Sequence, residues 1–137
     1  MALFLAWCQG RFLPMGMSVN TPVTQVMAGL LIGAGIILIL AAVLEFYRAK
    51  TTVIPHQTPS HLITTGVYSR TRNPIYLGDA LILTGLIVRF DAVPSLVLVP
   101  AFVWWIERHF IVPEEDRMRS QFRVEFARYE QKVRRWL

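Results

Sequence analysis

From Phe12 to Leu44 no residue is charged, and Val23 to Leu44 (VTQVMAGLLIGAGIILILAAVL) is a 22-residue stretch dominated by Leu, Ile, Val, Ala and Gly. At 1.5 Å per residue it forms a helix of about 33 Å, enough to cross a hydrocarbon core of ~30 Å. A transmembrane helix over 23–47 is predicted. The run is too long for a signal peptide, starts too far from Met1 and is followed by Glu45-Phe46-Tyr47-Arg48 rather than by a small-residue cleavage site. The segment 1–22 is apolar but interrupted by Gln9-Gly10-Arg11 and Pro14, and is expected to be an interfacial segment or the remnant of a helix.

Two shorter apolar runs, Ile75 to Val88 and Ala92 to Ile106, flank Arg89-Phe90-Asp91. They predict a helical hairpin over 75–106. Each run makes only roughly 22 Å of helix, so spanning requires flanking residues or a locally thinned bilayer. A re-entrant pair is the competing arrangement. Pro94 suits the first turn of the third helix, and Pro100 is expected to kink it unless neighbours satisfy the freed carbonyl. Beyond Ile106, Met118, Phe122, Phe126, Tyr129, Val133 and Trp136 recur at spacings of three and four, one apolar face at helical period. Pro113 before Glu114-Glu115-Asp116 reads as the start of that helix. The tail, 107–137, is therefore expected to be an amphipathic helix on the anionic inner leaflet. The predicted fold is one all-α membrane domain: about three transmembrane helices, a loop over 48–74, and the tail helix.

Composition narrows the class. Of 137 residues 54% are hydrophobic and 17% charged, with a mean hydropathy of +0.44, which excludes a disordered tail or a collagen-like fibre. A single cysteine, Cys8, excludes an internal disulfide framework. The 14 Lys and Arg outnumber the 9 Asp and Glu, and their placement matters more than their sum. Arg48, Lys50, Arg70 and Arg72 occupy the middle loop without an acid, eight basic residues follow Ile106, and only Arg11 and Arg89 lie on the other side. By the positive-inside rule the loop and the C-terminus are expected to be cytoplasmic.

The loop before the hairpin carries candidate chemistry. Asn73 is a favourable N-cap and Pro74 a favourable first helical residue, so the free amides after them attract an anionic group such as a ligand carboxylate. Arg70, Arg72, Tyr68 and Tyr76 add donors and aromatic surface. The same residues also suit plain headgroup contact and an interfacial aromatic belt, and the residues alone leave both open. His56, His61 and His109 lack ligand-like spacing, so no metal is expected.

Taken together, Thr51-Thr52-Val53-Ile54-Pro55, GVYSRTRNPIYLG at 66–78, Ile111-Val112-Pro113-Glu114-Glu115, and Phe122, Tyr129 and Val133-Arg134-Arg135-Trp136 resemble the isoprenylcysteine carboxyl methyltransferase and phospholipid methyltransferase superfamily. The resemblance covers about residues 24–137 and is to its small bacterial-type members, which implies an inner-membrane location. It implies S-adenosylmethionine as methyl donor. The cofactor contacts it implies are Ser60, His61, Leu62, Ile63, Tyr68, Asn73, Pro74, Ile75, Tyr76 and Glu114, with Glu115 alongside. Glu114 suits the cofactor's ammonium or ribose hydroxyls, and the helix start at Asn73-Pro74 its carboxylate. The glycine-rich turn of soluble methyltransferases is absent: Gly33-Ala34-Gly35 lies inside an apolar helix and, with Gly29, is expected to serve close helix packing.

The candidate catalytic residues are Arg72, Arg108 and Asp79. Asp79 lies inside the second helix, where a carboxylate is costly unless it faces a polar cavity or pairs with Arg72 or Arg108. The substrate-contacting arginine of the best-known members, four residues before the glutamate, is Phe110 here, with Arg108 and His109 nearest. A family glycine after Phe122 is Arg123, and a family tyrosine is Phe126. The resemblance thus implies carboxyl O-methylation of a prenylcysteine-like, lipidic or amphipathic acceptor. Amine N- or thiol S-methylation on the same scaffold, and a non-catalytic lipid-binding subunit, are the alternatives. The expected partner is the lipid bilayer, with no nucleic acid, and Gly29 and Gly33 form a candidate homodimer contact.

Overall fold

The computed structural model describes residues 1, 4, 8, 20–50 and 62–137, and every regular element among them is helical. The expectations for 1–22 and for Thr51 to His61 lie almost entirely outside the described residues. Helix α1 is Pro22–Arg48 (27 residues) and α2 is Pro74–Arg89 (16 residues). A 3-10 turn at Val93–Val97 leads into α3, Leu98–Ile106. A π-helical turn at Glu107–Ile111 continues it into α4, Val112–Phe122, and α5 is Val124–Lys132. A second 3-10 turn, Gly66–Ser69, precedes α2. Two helical runs, Pro22–Arg48 and Val93–Phe122, are long and apolar enough to cross a membrane. Helix α2 starts at the expected proline, and its 16 residues make only about 24 Å of helix.

The chain divides into two compact units. The first holds the described part of Met1–Ile37 together with Gly78–Trp104. Here α1 and α2 meet through glycine: a Cβ on Gly35 would come within 2.6 Å of the Gly78 carbonyl oxygen, and one on Gly85 within 2.9 Å of the Ala28 carbonyl oxygen. Small residues at such crossings let two backbones approach where lipid gives no hydrophobic drive. Among the described residues Gly29 and Gly33 have nothing within 4 Å of such a Cβ, so of the three glycines expected to pack closely Gly35 does so, joined by Gly85 of α2. Leu83, Ile87 and Ala92 form a core with Val99 and Phe102. The Arg89-Phe90-Asp91 turn closes with Asp91 at φ 54° and the Ala92 amide on the Ile87 carbonyl, a Schellman-type helix end. Pro94 lies in the 3-10 turn and Pro100 in the first turn of α3, so α3 continues past Pro100 to Ile106. Val23, Val26, Met27, Leu30, Ile37 and Leu40 of α1 are exposed, a surface suited to lipid rather than water.

The second unit, Leu38–Leu77 with Trp105–Leu137, departs from expectation in the tail. Pro113 lies in the first turn of α4 with Glu114 and Glu115, as expected, but the chain is already helical before it. In the wide π turn the Val112 amide reaches back to the Glu107 carbonyl, and the chain arrives at Pro113 still helical. The tail is also not one amphipathic helix. It breaks at Arg123, whose φ of 45° is a left-handed value rare for a residue with a Cβ. After that break Phe126, Tyr129 and Val133 are buried against Leu62, Met118 and Phe122, so the apolar stripe builds a protein core instead of lying on a leaflet. Arg119 straps the break, with Nη2 2.8 Å from Glu130 Oε1 and Nη1 2.9 Å from Asp116 Oδ1. A second core joins Ala42 of α1 to Ile63 and Tyr68, with Phe46 and Ile75 against it.

Candidate active site

Within the second unit lies a cavity of about 140 Å³, against roughly 10–15 Å³ on the same measure for a site holding one water. Its wall is partly apolar, from Phe46, Ile75, Met118 and Phe126, and partly polar, from Tyr68, Arg72, Asn73, Tyr76, Glu114 and Glu115. These residues come from the end of α1, the loop and first turn of α2, α4 and α5.

The loop is set before it meets the cavity. Gly66 takes φ 59°, and a Cβ there would lie 2.5 Å from Glu45 Oε1, so this turn requires glycine against the glutamate. Thr65 Oγ1 donates to Glu45 Oε2 at 2.9 Å. That fixes the turn holding Tyr68, whose ring packs edge-on to Phe46 at 5.6 Å and whose carbonyl accepts from the Tyr129 hydroxyl at 2.6 Å. Burial raises both tyrosines above the ordinary phenol range, and for Tyr68 the neighbouring Tyr129 and Glu114 add to it. The Tyr68 phenol therefore stays protonated, a donor at the cavity wall.

Polar groups of both signs line the cavity. Tyr76 donates its hydroxyl to Glu114 Oε1 at 2.8 Å, and its ring lies 6.3 Å from Phe110. Phe110 in turn lies 5.4 Å from Trp105, which stacks on His109 at 5.1 Å. Arg72 has a side chain only 13% exposed, and its Nη1 approaches Glu115 Oε1 at 3.2 Å without hydrogen-bond alignment. Among the described residues its buried Nε and Nη1 make no hydrogen bond. Unsatisfied buried donors are uncommon and call for a missing partner.

Glu115, expected beside the cofactor, has its side chain 7% exposed and is held by Arg135, which donates Nε to Oε1 at 3.0 Å and Nη2 to Oε2 at 2.8 Å. Arg135 also donates Nη1 to Glu107 Oε1 at 2.6 Å, and Trp136 donates Nε1 to Glu107 Oε2 at 3.2 Å. Asn73 Nδ2 donates to the Arg135 carbonyl at 2.9 Å.

The structure thus brings Tyr68, Arg72, Asn73, Ile75, Tyr76, Glu114 and Glu115 to one cavity, while Pro74 is buried at the start of α2 and absent from its lining. Leu62 and Ile63 pack into the two hydrophobic cores and do not line it. Ser60 and His61 lie outside the described residues. Arg108 is exposed on the π turn, makes no ion pair among the described residues and does not line the cavity. Asp79, half-buried on α2, belongs to the other unit and likewise has no ion-pair partner among the described residues. No cluster of His, Cys, Asp and Glu suited to a metal occurs among the described residues. Sequence reasoning missed Phe46, Met118 and Phe126 in the wall and Arg135 behind it. Phe126 and Met118 did show in the helical stripe, and only their destination was misjudged.

Comparison with known families matches residues 23–125 to one described as phospholipid methyltransferase. No curated protein and no solved structure matches the chain.

Proposed function

The chain belongs to the phospholipid methyltransferase family of membrane methyltransferases, and from that membership we propose that it uses S-adenosylmethionine, bound in the cavity of the second unit, to methylate a lipidic or amphipathic acceptor. The observation that carries this is Arg72, whose buried Nε and Nη1 make no hydrogen bond among the described residues, beside the Tyr76–Glu114 hydrogen bond in the wall of the same cavity. A zwitterionic amino-acid group needs both signs of charge. Arg72 and the free amides at the start of α2 suit its carboxylate, while Glu114, oriented by Tyr76, suits its ammonium or a ribose hydroxyl. Phe46, Ile75, Met118 and Phe126 supply apolar surface for the rest.

When bound, S-adenosylmethionine supplies a methyl carbon already activated by its sulfonium. The chain's own work is then to hold, align and exclude water, which accounts for the shortage of strong bases near the cavity. Tyr68, protonated and buried, serves as a fixed donor in this scheme. The basic loop and tail support a cytoplasmic cavity, and the family's small bacterial-type members support an inner-membrane location.

For the acceptor, carboxyl O-methylation of a prenylcysteine-like lipid is the first reading. Phe110 favours a second, methylation of a phospholipid amine: it lies between Tyr76 and Trp105, an aromatic surface that offers a carboxylate no cation. Labelled-methyl transfer by the full chain in nanodiscs tests both. Label is expected in an extractable lipid or in a prenylcysteine acceptor, and is lost in Glu114→Ala. Folded protein that transfers label to neither, with cofactor present, contradicts the proposal.

A further inference from the structure

Glu115 faces three guanidinium groups and divides itself unequally among them. Arg135 takes both of its oxygens in the bidentate fork that arginine and carboxylate form best, at 3.0 and 2.8 Å. Arg119 Nη2 stands off at 3.6 Å and Arg72 Nη1 makes its unaligned approach at 3.2 Å. Arg135 is fixed from behind by Glu107, whose other oxygen is held by the Trp136 indole. The backbone of the same tail segment grips the loop: the Arg72 amide donates to the Arg134 carbonyl at 3.0 Å, and the Arg135 carbonyl accepts from Asn73 Nδ2 and, at 3.3 Å, from Thr71 Oγ1. Arg119 is held by Glu130 and Asp116, and Arg135 by Glu115 and Glu107, so of the three arginines it is Arg72, in the cavity wall, whose buried Nε and Nη1 make no hydrogen bond among the described residues.

Resting on the cofactor reading above, we propose that Arg135 is a positioning residue for that site: by taking both oxygens of Glu115 in aligned hydrogen bonds it limits Arg72 to a single unaligned ion pair at 3.2 Å and leaves the Arg72 guanidinium able to receive the carboxylate of the ligand. Glu115 is then a counter-ion within the wall and not a ligand contact. Lysine cannot replace Arg135 fully, because a single ammonium does not hold both carboxylate oxygens in one plane.

The test compares two probes on the full chain in nanodiscs: S-adenosylhomocysteine and its decarboxylated analogue, which keeps the amine and lacks the carboxylate. Arg135→Gln is expected to weaken S-adenosylhomocysteine by about tenfold, the scale of a lost charge-assisted hydrogen bond, and to leave the decarboxylated analogue within about twofold. Arg135→Lys is expected to fall between Arg135→Gln and the wild type. Glu115→Gln added to Arg135→Gln removes the competitor for Arg72 and is expected to recover the preference for the carboxylate-bearing probe. Equal loss of both probes in Arg135→Gln and Arg135→Lys, or a double variant no more selective than Arg135→Gln, overturns the inference and leaves the cofactor site standing. Wild-type protein that binds neither probe overturns the cofactor reading and the inference with it.

Discussion

Tyr76 and Glu114 stand 38 positions apart in sequence and meet at 2.8 Å in the cavity wall. The phenol holds a carboxylate in one orientation, and a hydrogen bond to a charged group is worth about 1.5–3 kcal/mol in favourable cases. Tyr76→Phe keeps the ring against Phe110 and removes that bond. It is expected to weaken S-adenosylhomocysteine binding by roughly tenfold while the melting temperature stays close to wild type, as titration calorimetry and a thermal melt on one preparation will show. Tyr68, Arg72, Asn73 and Tyr76 stood out in the sequence as donors and aromatic residues around a proline helix start, and Glu114 through the family resemblance. Arg135 did not. Among the basic residues of the tail nothing local distinguishes the one that turns inward to Glu115 from those that meet water or headgroups.

At the scale of elements, α1 and the start of α2 follow from a charge-free run and from Asn73-Pro74, features that need no tertiary context. The tail needed it. A period of 3.6 reveals an apolar face but not what covers it, and a π turn leaves no mark in the sequence, so the helical turn that leads into Pro113 went unforeseen and Phe126 looked like a lipid contact. The break at Arg123 is the least readable feature, since a left-handed φ is expected of glycine and not of arginine. Such a conformation costs a residue with a Cβ about 1–3 kcal/mol, and the added freedom of the unfolded glycine chain offsets about 0.4–1. Arg123→Gly is thus expected to stabilise the protein by about 1 kcal/mol, seen as a higher melting temperature. An unchanged or lowered melting temperature would show that the bend is not strained. Across the same break the Arg119 hydrogen bond holds Glu130 below the usual glutamate range. With its folded value depressed, this group adds stability above the unfolded glutamate value, about 4.3, and loses it as pH falls through the folded value. Wild type is therefore expected to lose more stability than Glu130→Gln between pH 6 and about 3.

Across the whole molecule the greasy, basic composition resolves into two compact units with different tasks. One packs α1, α2 and α3 through Gly35, Gly85 and a small aliphatic core, with an apolar exterior suited to lipid. The other folds the loop and tail around a cavity whose wall holds a buried arginine and a tyrosine-oriented glutamate. The basic residues of the loop and tail include Arg72, already a site candidate in the sequence and part of this wall, and Arg135, which holds Glu115 there. Binding of S-adenosylhomocysteine to the purified chain in nanodiscs, wild type against Glu114→Ala, tests the central claim most directly. The account predicts saturable binding that raises the melting temperature of the wild type, by mass action on the folded state, and that Glu114→Ala largely abolishes. Folded wild-type protein that shows no binding at millimolar ligand, or Glu114→Ala protein that binds as the wild type does, would contradict it.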